Sequence, residues 1–171
     1  PVAVDDNLGA RPGRATILPV LLNDYDPNGD VISITGVTGI NPNVGNIDLI
    51  NNNQELQLTL AANASGTIVF RYTISDGRGG TASANVTVTV RTPGENSAPI
   101  QVQPSRSTVV EGGRTTIQVL GDWEDPDGDP MYVTDATASA PDSVNFTPDG
   151  TLVYSDGGVT AGIKTISGTV S

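Results

Sequence analysis

Oxygen-bearing side chains alternate along one short stretch, Asn23-Asp24-Tyr25-Asp26-Pro27-Asn28-Gly29-Asp30. Asp24, Asp26, Asn28 and Asp30 would project from a tight loop, with Gly29 permitting the turn that gathers them. Hard divalent cations are enclosed this way, calcium by roughly six to eight oxygens at about 2.3–2.6 Å. The loop is not of the helix-flanked type, because its twelfth position is Thr35 rather than a bidentate Glu and β-like sequence lies on both sides. Asp-Pro-Asn-Gly also reads as a plain β-turn, with Pro second and Gly fourth. Against a bare turn, packed acids repel one another, and no lysine stands beside them. A second stretch, Asp122-Trp123-Glu124-Asp125-Pro126-Asp127-Gly128-Asp129, is denser in acid but shifted. Trp123 takes the place of Asp24, leaving Asp122 or Glu124 to replace the lost oxygen.

Other chemistries are poorly supplied. The 171 residues contain no His and no Cys, which removes Ser-His-Asp and Cys-His nucleophile systems, thiolate or imidazole metal sites and disulfides. Eight Lys plus Arg against 19 Asp plus Glu give a net charge of −11. That balance disfavours nucleic acid and anionic membrane surfaces, which need clustered cations. No apolar run is long enough to insert directly into a membrane. A glycoside-cleaving carboxylate pair is disfavoured because aromatics are only 4% of residues and the acids fall mostly in turns. Lys164 is the lone lysine; a crosslink from it to an Asn or Asp is conceivable, but spacing selects no partner.

The elements that must position these loops are strands. Gly, Pro, Thr, Val and Ile abound while helix builders are scarce, so the chain is expected to be all-β. It is also internally duplicated. Pro1-Val2-Ala3-Val4 corresponds to Pro99-Ile100-Gln101-Val102, and Asp26-Pro27-Asn28-Gly29-Asp30 to Asp125-Pro126-Asp127-Gly128-Asp129. This predicts one module over 1–92, a linker over 93–98 and a second module over 99–171. In the first, period-two alternation and turn residues predict strands at 2–5, 15–21, 31–37, 44–50, 55–60, 67–75 and 81–91. Ile68, Phe70, Tyr72 and Ile74 share one face of the sixth, and Ala82, Ala84, Val86, Val88 and Val90 one face of the seventh. Asp76-Gly77-Arg78-Gly79-Gly80 supplies the hairpin between them. Seven strands in this length point to a two-sheet sandwich. The second module repeats the pattern at 100–102, 108–110, 115–120, 131–136, 143–147, 151–155 and 162–170. Thr169-Val170-Ser171 matches Thr73-Ile74-Ser75, so the second sandwich is expected to lack its last strand in this chain, the polypeptide continuing beyond Ser171 or a strand from elsewhere filling the gap.

Asn23 to Asp30 after a strand, Pro1-Val2-Ala3-Val4-Asp5-Asp6 before it, and Tyr72 to Val90 after it together resemble the bacterial cadherin-like and Ig-like tandem repeats of large secreted or surface-anchored proteins, adhesins among them. The resemblance covers the first copy and, up to its end, the second. It implies a Greek-key β-sandwich, calcium (Ca2+) near module junctions, and an extracellular location at the cell surface or in secreted form. It further implies ligands from Asp5 or Asp6, Asp24, Asp26, Asp30 and Asp76 in the first copy. Glu95, Asn96, Glu111, Asp125, Asp127 and Asp129 would serve the linker and the second copy. The linker, Gly94-Glu95-Asn96-Ser97-Ala98-Pro99-Ile100, lacks the second acid of a cadherin-type linker. The functional expectation is a non-catalytic structural spacer whose partners are neighbouring modules of the same polypeptide. The alternative is a module binding a cell-surface receptor or a polysaccharide, for which Tyr25, Trp123, Tyr132 and Tyr154 are the candidate contacts.

Overall fold

The computed structural model describes residues 1–158 and 161–171 and is all-β apart from a short 3-10 turn at Leu120–Asp122. The chain divides into two units, Pro1–Ser97 with Pro126–Asp129, and Ala98–Asp125 with Pro130–Ser171.

Seven strands build the first unit: β1 (Asp6–Ala10), β2 (Ala15–Leu18), β3 (Ser33–Thr38), β4 (Gly45–Ile50), β5 (Glu55–Leu60), β6 (Thr67–Ser75) and β7 (Thr81–Val90). They form two sheets, β1-β7-β6-β3 and β2-β5-β4, and the chain crosses from one to the other after β1, β2, β3 and β5. This is the two-sheet sandwich that the alternation predicts, with the Greek-key connections that the family resemblance implies. β6 and β7 pair in one unbroken antiparallel register that sets Phe70 opposite Val86 and Tyr72 opposite Ala84. Those four side chains, with Leu18, Val20, Ile34, Leu56, Leu58, Ile74 and Val88, are almost wholly buried between the sheets. At the β6–β7 turn, Gly77 (φ 70°) and Gly79 (φ 103°) adopt the left-handed backbone that glycine tolerates. Between β4 and β5, Asn51, Asn52 and Asn53 are all left-handed, which explains an otherwise featureless asparagine run.

The first strand differs from expectation. Val2 makes only an isolated bridge to Tyr25, and the strand proper is Asp6–Ala10, running parallel to β7. Asn7 and Gly9 read as turn residues, but parallel pairing with the central β7 overrides local propensity.

The second unit contains β8 (Ile100–Gln101), β9 (Arg114–Gln118), β10 (Trp123–Glu124), β11 (Val133–Ala138), β12 (Ser143–Phe146), β13 (Thr151–Ser155) and β14 (Ile166–Val170). They pair as β12-β13-β9, β11-β14 and β10-β8. No strand forms at 108–110, and Val110 lies exposed. Its buried apolar set, Val133, Ala136, Leu152 and Tyr154, is far smaller than that of the first unit. Leu58 is fully buried on the central strand of its sheet, so Leu58→Ala is expected to destabilise the first unit by about 2–5 kcal/mol, measured by urea unfolding.

Candidate functional site

In the first unit the acidic loop and the β6–β7 hairpin meet. One carboxylate oxygen from each of Asp26, Asp30 and Asp76 lies within 4.8 Å of the others. Their placement follows from local hydrogen bonding. Asp26 Oδ1 accepts the backbone N–H of Asn28 at 2.7 Å, closing the Asp-Pro-Asn-Gly turn, and Gly29 donates to the Asp26 carbonyl. Asp76 Oδ1 accepts the N–H groups of Arg78 and Gly80, folding the hairpin around it. Asp26 Oδ2 is buried with no hydrogen bond and faces the Pro1 amine at 3.0 Å; the Asp26 side chain is only 1% exposed. A tertiary amide nitrogen, which Pro1 would carry behind any preceding residue, has neither proton nor charge to offer that oxygen. Asp30 pairs with Arg78 at 3.0 Å, through a guanidinium whose side chain is 76% exposed.

Electrostatics follow the same contacts. The Pro1 amine and then the Asn28 N–H hold Asp26 below the usual carboxylate range. The Arg78 and Gly80 N–H groups do the same for Asp76, against burial and the neighbouring Asp26 charge. Asp26 and Asp76 are therefore ionised at neutral pH and repel one another unless a cation lies between them.

Other residues anticipated as ligands are used elsewhere. Asp24 is turned inward: its Oδ1 accepts the Val4 N–H at 2.7 Å and its Oδ2 the Tyr72 hydroxyl at 2.8 Å. Burial raises its pKa, opposed by those two bonds. The Tyr72 hydroxyl also lies 3.1 Å from the Val20 carbonyl, so this pair ties the loop to the core of the unit. Asp5 accepts the Asn85 N–H, and Asp6 is buried in β1. Asn28 contributes its backbone to the turn and its side chain is exposed. Glu95 is held by the N–H and hydroxyl of Thr92, which lower its pKa. Asn96 and Glu111 are exposed. Asp122 accepts from Gln103 and from the Ser105 hydroxyl.

In the second acidic stretch, Asp125 is buried in the second unit, while Asp127 and Asp129 belong to the first. Here arginines supply the positive charge. Arg11 engages both oxygens of Asp129, at 2.7 and 2.5 Å, and Arg14 bonds the same carboxylate. Arg91 lies 3.3 Å from the fully buried Asp127, which also accepts the Ser97 N–H. Arg11, Arg14, Arg78 and Arg91 are absent from the sequence-level expectations. The Arg11–Asp129 partners lie 118 residues apart, beyond the reach of any local pattern. Lys164 is likewise engaged, 3.0 Å from Asp142 and 3.6 Å from Asp156.

A model of the bacterial Ig domain matches residues 1–89 and again 96–171. The chain belongs to the bacterial Ig domain family. No curated protein sequence matches it. Among solved structures, an endo-fucoidan hydrolase of glycoside hydrolase family 107 is 21% identical, with 91% of this chain and 24% of that one covered and a TM-score of 0.38. The human desmocollin-1 ectodomain is 12% identical, with 98% and 34% covered and a TM-score of 0.39. Human protocadherin-24 EC1-2 is 14% identical, with 96% and 88% covered and a TM-score of 0.40. The chain spans about a quarter to a third of the first of these structures. The bacterial Ig pair is thus a tandem of all-β modules, as the internal repeat implies. Among the described residues no helix is long and apolar enough to cross a membrane.

The arginine pairing makes a pH prediction. Arg11, assisted by Arg14, holds the Asp129 carboxyl at about 2, below its ordinary 3.8. A depressed folded-state value stabilises the fold above 3.8, and that contribution disappears as pH falls from 3.8 to about 2. Asp129→Asn should therefore lower the urea midpoint at neutral pH and converge with the unsubstituted chain near pH 2. A gap that persists undiminished at that pH contradicts the pairing.

Proposed function

We propose that these two bacterial Ig modules are non-catalytic spacer units of an extracellular surface or secreted bacterial protein of the adhesin type, stiffened by calcium bound at Asp26, Asp30 and Asp76. The observation that carries the cation is the convergence of one carboxylate oxygen from each of Asp26, Asp30 and Asp76, with the Asp26 side chain only 1% exposed. Three carboxylates offer up to six oxygens, the donor type calcium prefers. The site is also open to exchange: Arg78, the cation on Asp30, is mostly in solvent and held at one edge. Bound there, the ion would supply charge neutralisation alone and join the acidic loop to the β6–β7 hairpin. At Asp127 and Asp129 a divalent ion would have to displace buried or half-buried guanidinium groups, so those residues are assigned to structure.

Support for a spacer over a catalyst comes from the absence of His and Cys and from acids that end in turns, caps and ion pairs. Neighbouring modules of the same polypeptide are the proposed partners. The rival reading, binding of a surface receptor or polysaccharide, needs an exposed aromatic platform. Tyr154 is buried and donates its hydroxyl to Asp142, and Trp123 is half-buried. That leaves Tyr25 in one unit and Tyr132 in the other as exposed tyrosines, and the spacer reading is preferred.

Calcium should raise the thermal midpoint and chelator reverse it. Saturation at a hundredfold excess over Kd corresponds to about 2.7 kcal/mol of added stability. Asp30→Asn with Asp76→Asn should abolish the shift, and Asp125→Asn should leave it intact. A midpoint indifferent to calcium removes the ion from this proposal.

A further inference from the structure

We infer that Asn28-Gly29 is a self-modification site, at which the Asn28 amide is converted through a cyclic imide to a carboxylate and the acidic loop gains a negative charge. The Gly29 backbone nitrogen attacks Asn28 Cγ and forms a C–N bond. The bond from Cγ to the side-chain nitrogen breaks, and that nitrogen takes up the proton lost by Gly29 and leaves as ammonia. Water then adds to one imide carbonyl and breaks one ring C–N bond, leaving Asp or its β-linked isomer. The net change is one water consumed and one ammonia released, with no oxidant or reductant.

Several features single out this dipeptide. Every other asparagine of the chain is followed by a residue with a Cβ, which crowds the attacking nitrogen. Gly29 has none, and nothing lies within 4 Å of where one would stand. The Asn28 side chain is exposed and makes no hydrogen bond among the described residues, so it can turn toward that nitrogen. The fold also accepts the product. Asp127 stands at the equivalent place in the second acidic stretch, before a Gly128 with φ 73° against 77° for Gly29.

The turn itself restrains the reaction. The Gly29 N–H donates to the Asp26 carbonyl at 3.0 Å and the Asn28 N–H to Asp26 Oδ1. Both bonds favour the closed turn, so conversion is paced by its local opening. An ion held by Asp26 and Asp30, on either side of the dipeptide, would clamp the turn and slow conversion. That last step rests on the proposed cation; the modification does not.

The molecule carries a matched control. Asn63 is also exposed and holds the same place in a turn, with the Ala64 N–H donating to the Ala61 carbonyl at 3.0 Å. What distinguishes it is the Cβ of the following residue. The test incubates the full chain at neutral and mildly alkaline pH, in chelator or in calcium, and reads its peptides by mass spectrometry for the amide-to-acid mass gain. In chelator, conversion at Asn28 should exceed that at Asn63 by at least about tenfold, because no Cβ shields the attacking nitrogen. It should quicken as pH rises, since that nitrogen must lose its proton. Ala64→Gly should bring Asn63 toward the rate of Asn28, and Asn28→Gln should abolish conversion at that position. Conversion no faster at Asn28 than at Asn63, or no gain at Asn63 in the Ala64→Gly chain, overturns the inference. Fast conversion at Asn28 that calcium leaves unchanged supports the modification and counts against the ion.

Discussion

Carboxylates gathered at strand ends cannot stay together without positive charge, and that constraint orders much of this molecule. The chain carries 19 acids against eight Lys and Arg. The cations it has are placed where acids converge and are least solvated. Arg11 and Arg14 share Asp129, Arg91 reaches the fully buried Asp127, Lys164 stands beside Asp142 and Asp156, and Arg78 reaches Asp30. Coulomb attraction at such distances is worth several-fold more near a protein surface than in bulk water, which is why few cations can hold many acids. Asp26 and Asp76 are the exception: backbone N–H groups and one amine are their partners, with no side-chain cation.

The repeat shows what the fold requires and what it permits to vary. The β-bulge with its threonine hydroxyl bond recurs in both units, because it sets the register on which each sheet is built. The Asp-Pro-x-Gly-Asp turn recurs too, with Gly29 and Gly128 both at positive φ. The charges around the turn do not recur. Gly128 is hemmed in by the Gly9 carbonyl and the Thr16 methyl, whereas nothing lies near the missing Cβ of Gly29. One turn sequence therefore serves as an open rim in one place and a buried plug in the other.

Strand alternation made β4 to β7 legible almost to the residue, because one face of each is buried and period-two patterning records that directly. β1 was not legible: Asp6–Ala10 has a polar, glycine-containing sequence and owes its extended form to β7, some 80 residues away. The acidic loop could be seen as a gathering of oxygens, and Asp26, Asp30 and Asp76 do converge. The inward turn of Asp24 could not be seen, since its reason is the Tyr72 hydroxyl 48 residues on. Repulsion among acids adjacent in sequence likewise gives no sign of the arginines, which reach Asp127 and Asp129 from distant strands and loops. Local composition shows which groups can act; long-range pairing decides which are already engaged.

That distinction bears on how a spacer can be built from repeated units. A module whose stability came wholly from its own core would need no ions, and the first unit, with Phe70, Tyr72 and Leu58 buried between two full sheets, is close to that case. Its acidic loop is tied to the core through Asp24 and Tyr72 rather than through the three converging carboxylates. A cation at those carboxylates would therefore act on a rim already anchored, restraining the loop against the hairpin without being needed to form either. Under the proposed spacer reading, an ion held in such an arrangement would tune stiffness at the end of a sandwich and leave the fold intact on its departure.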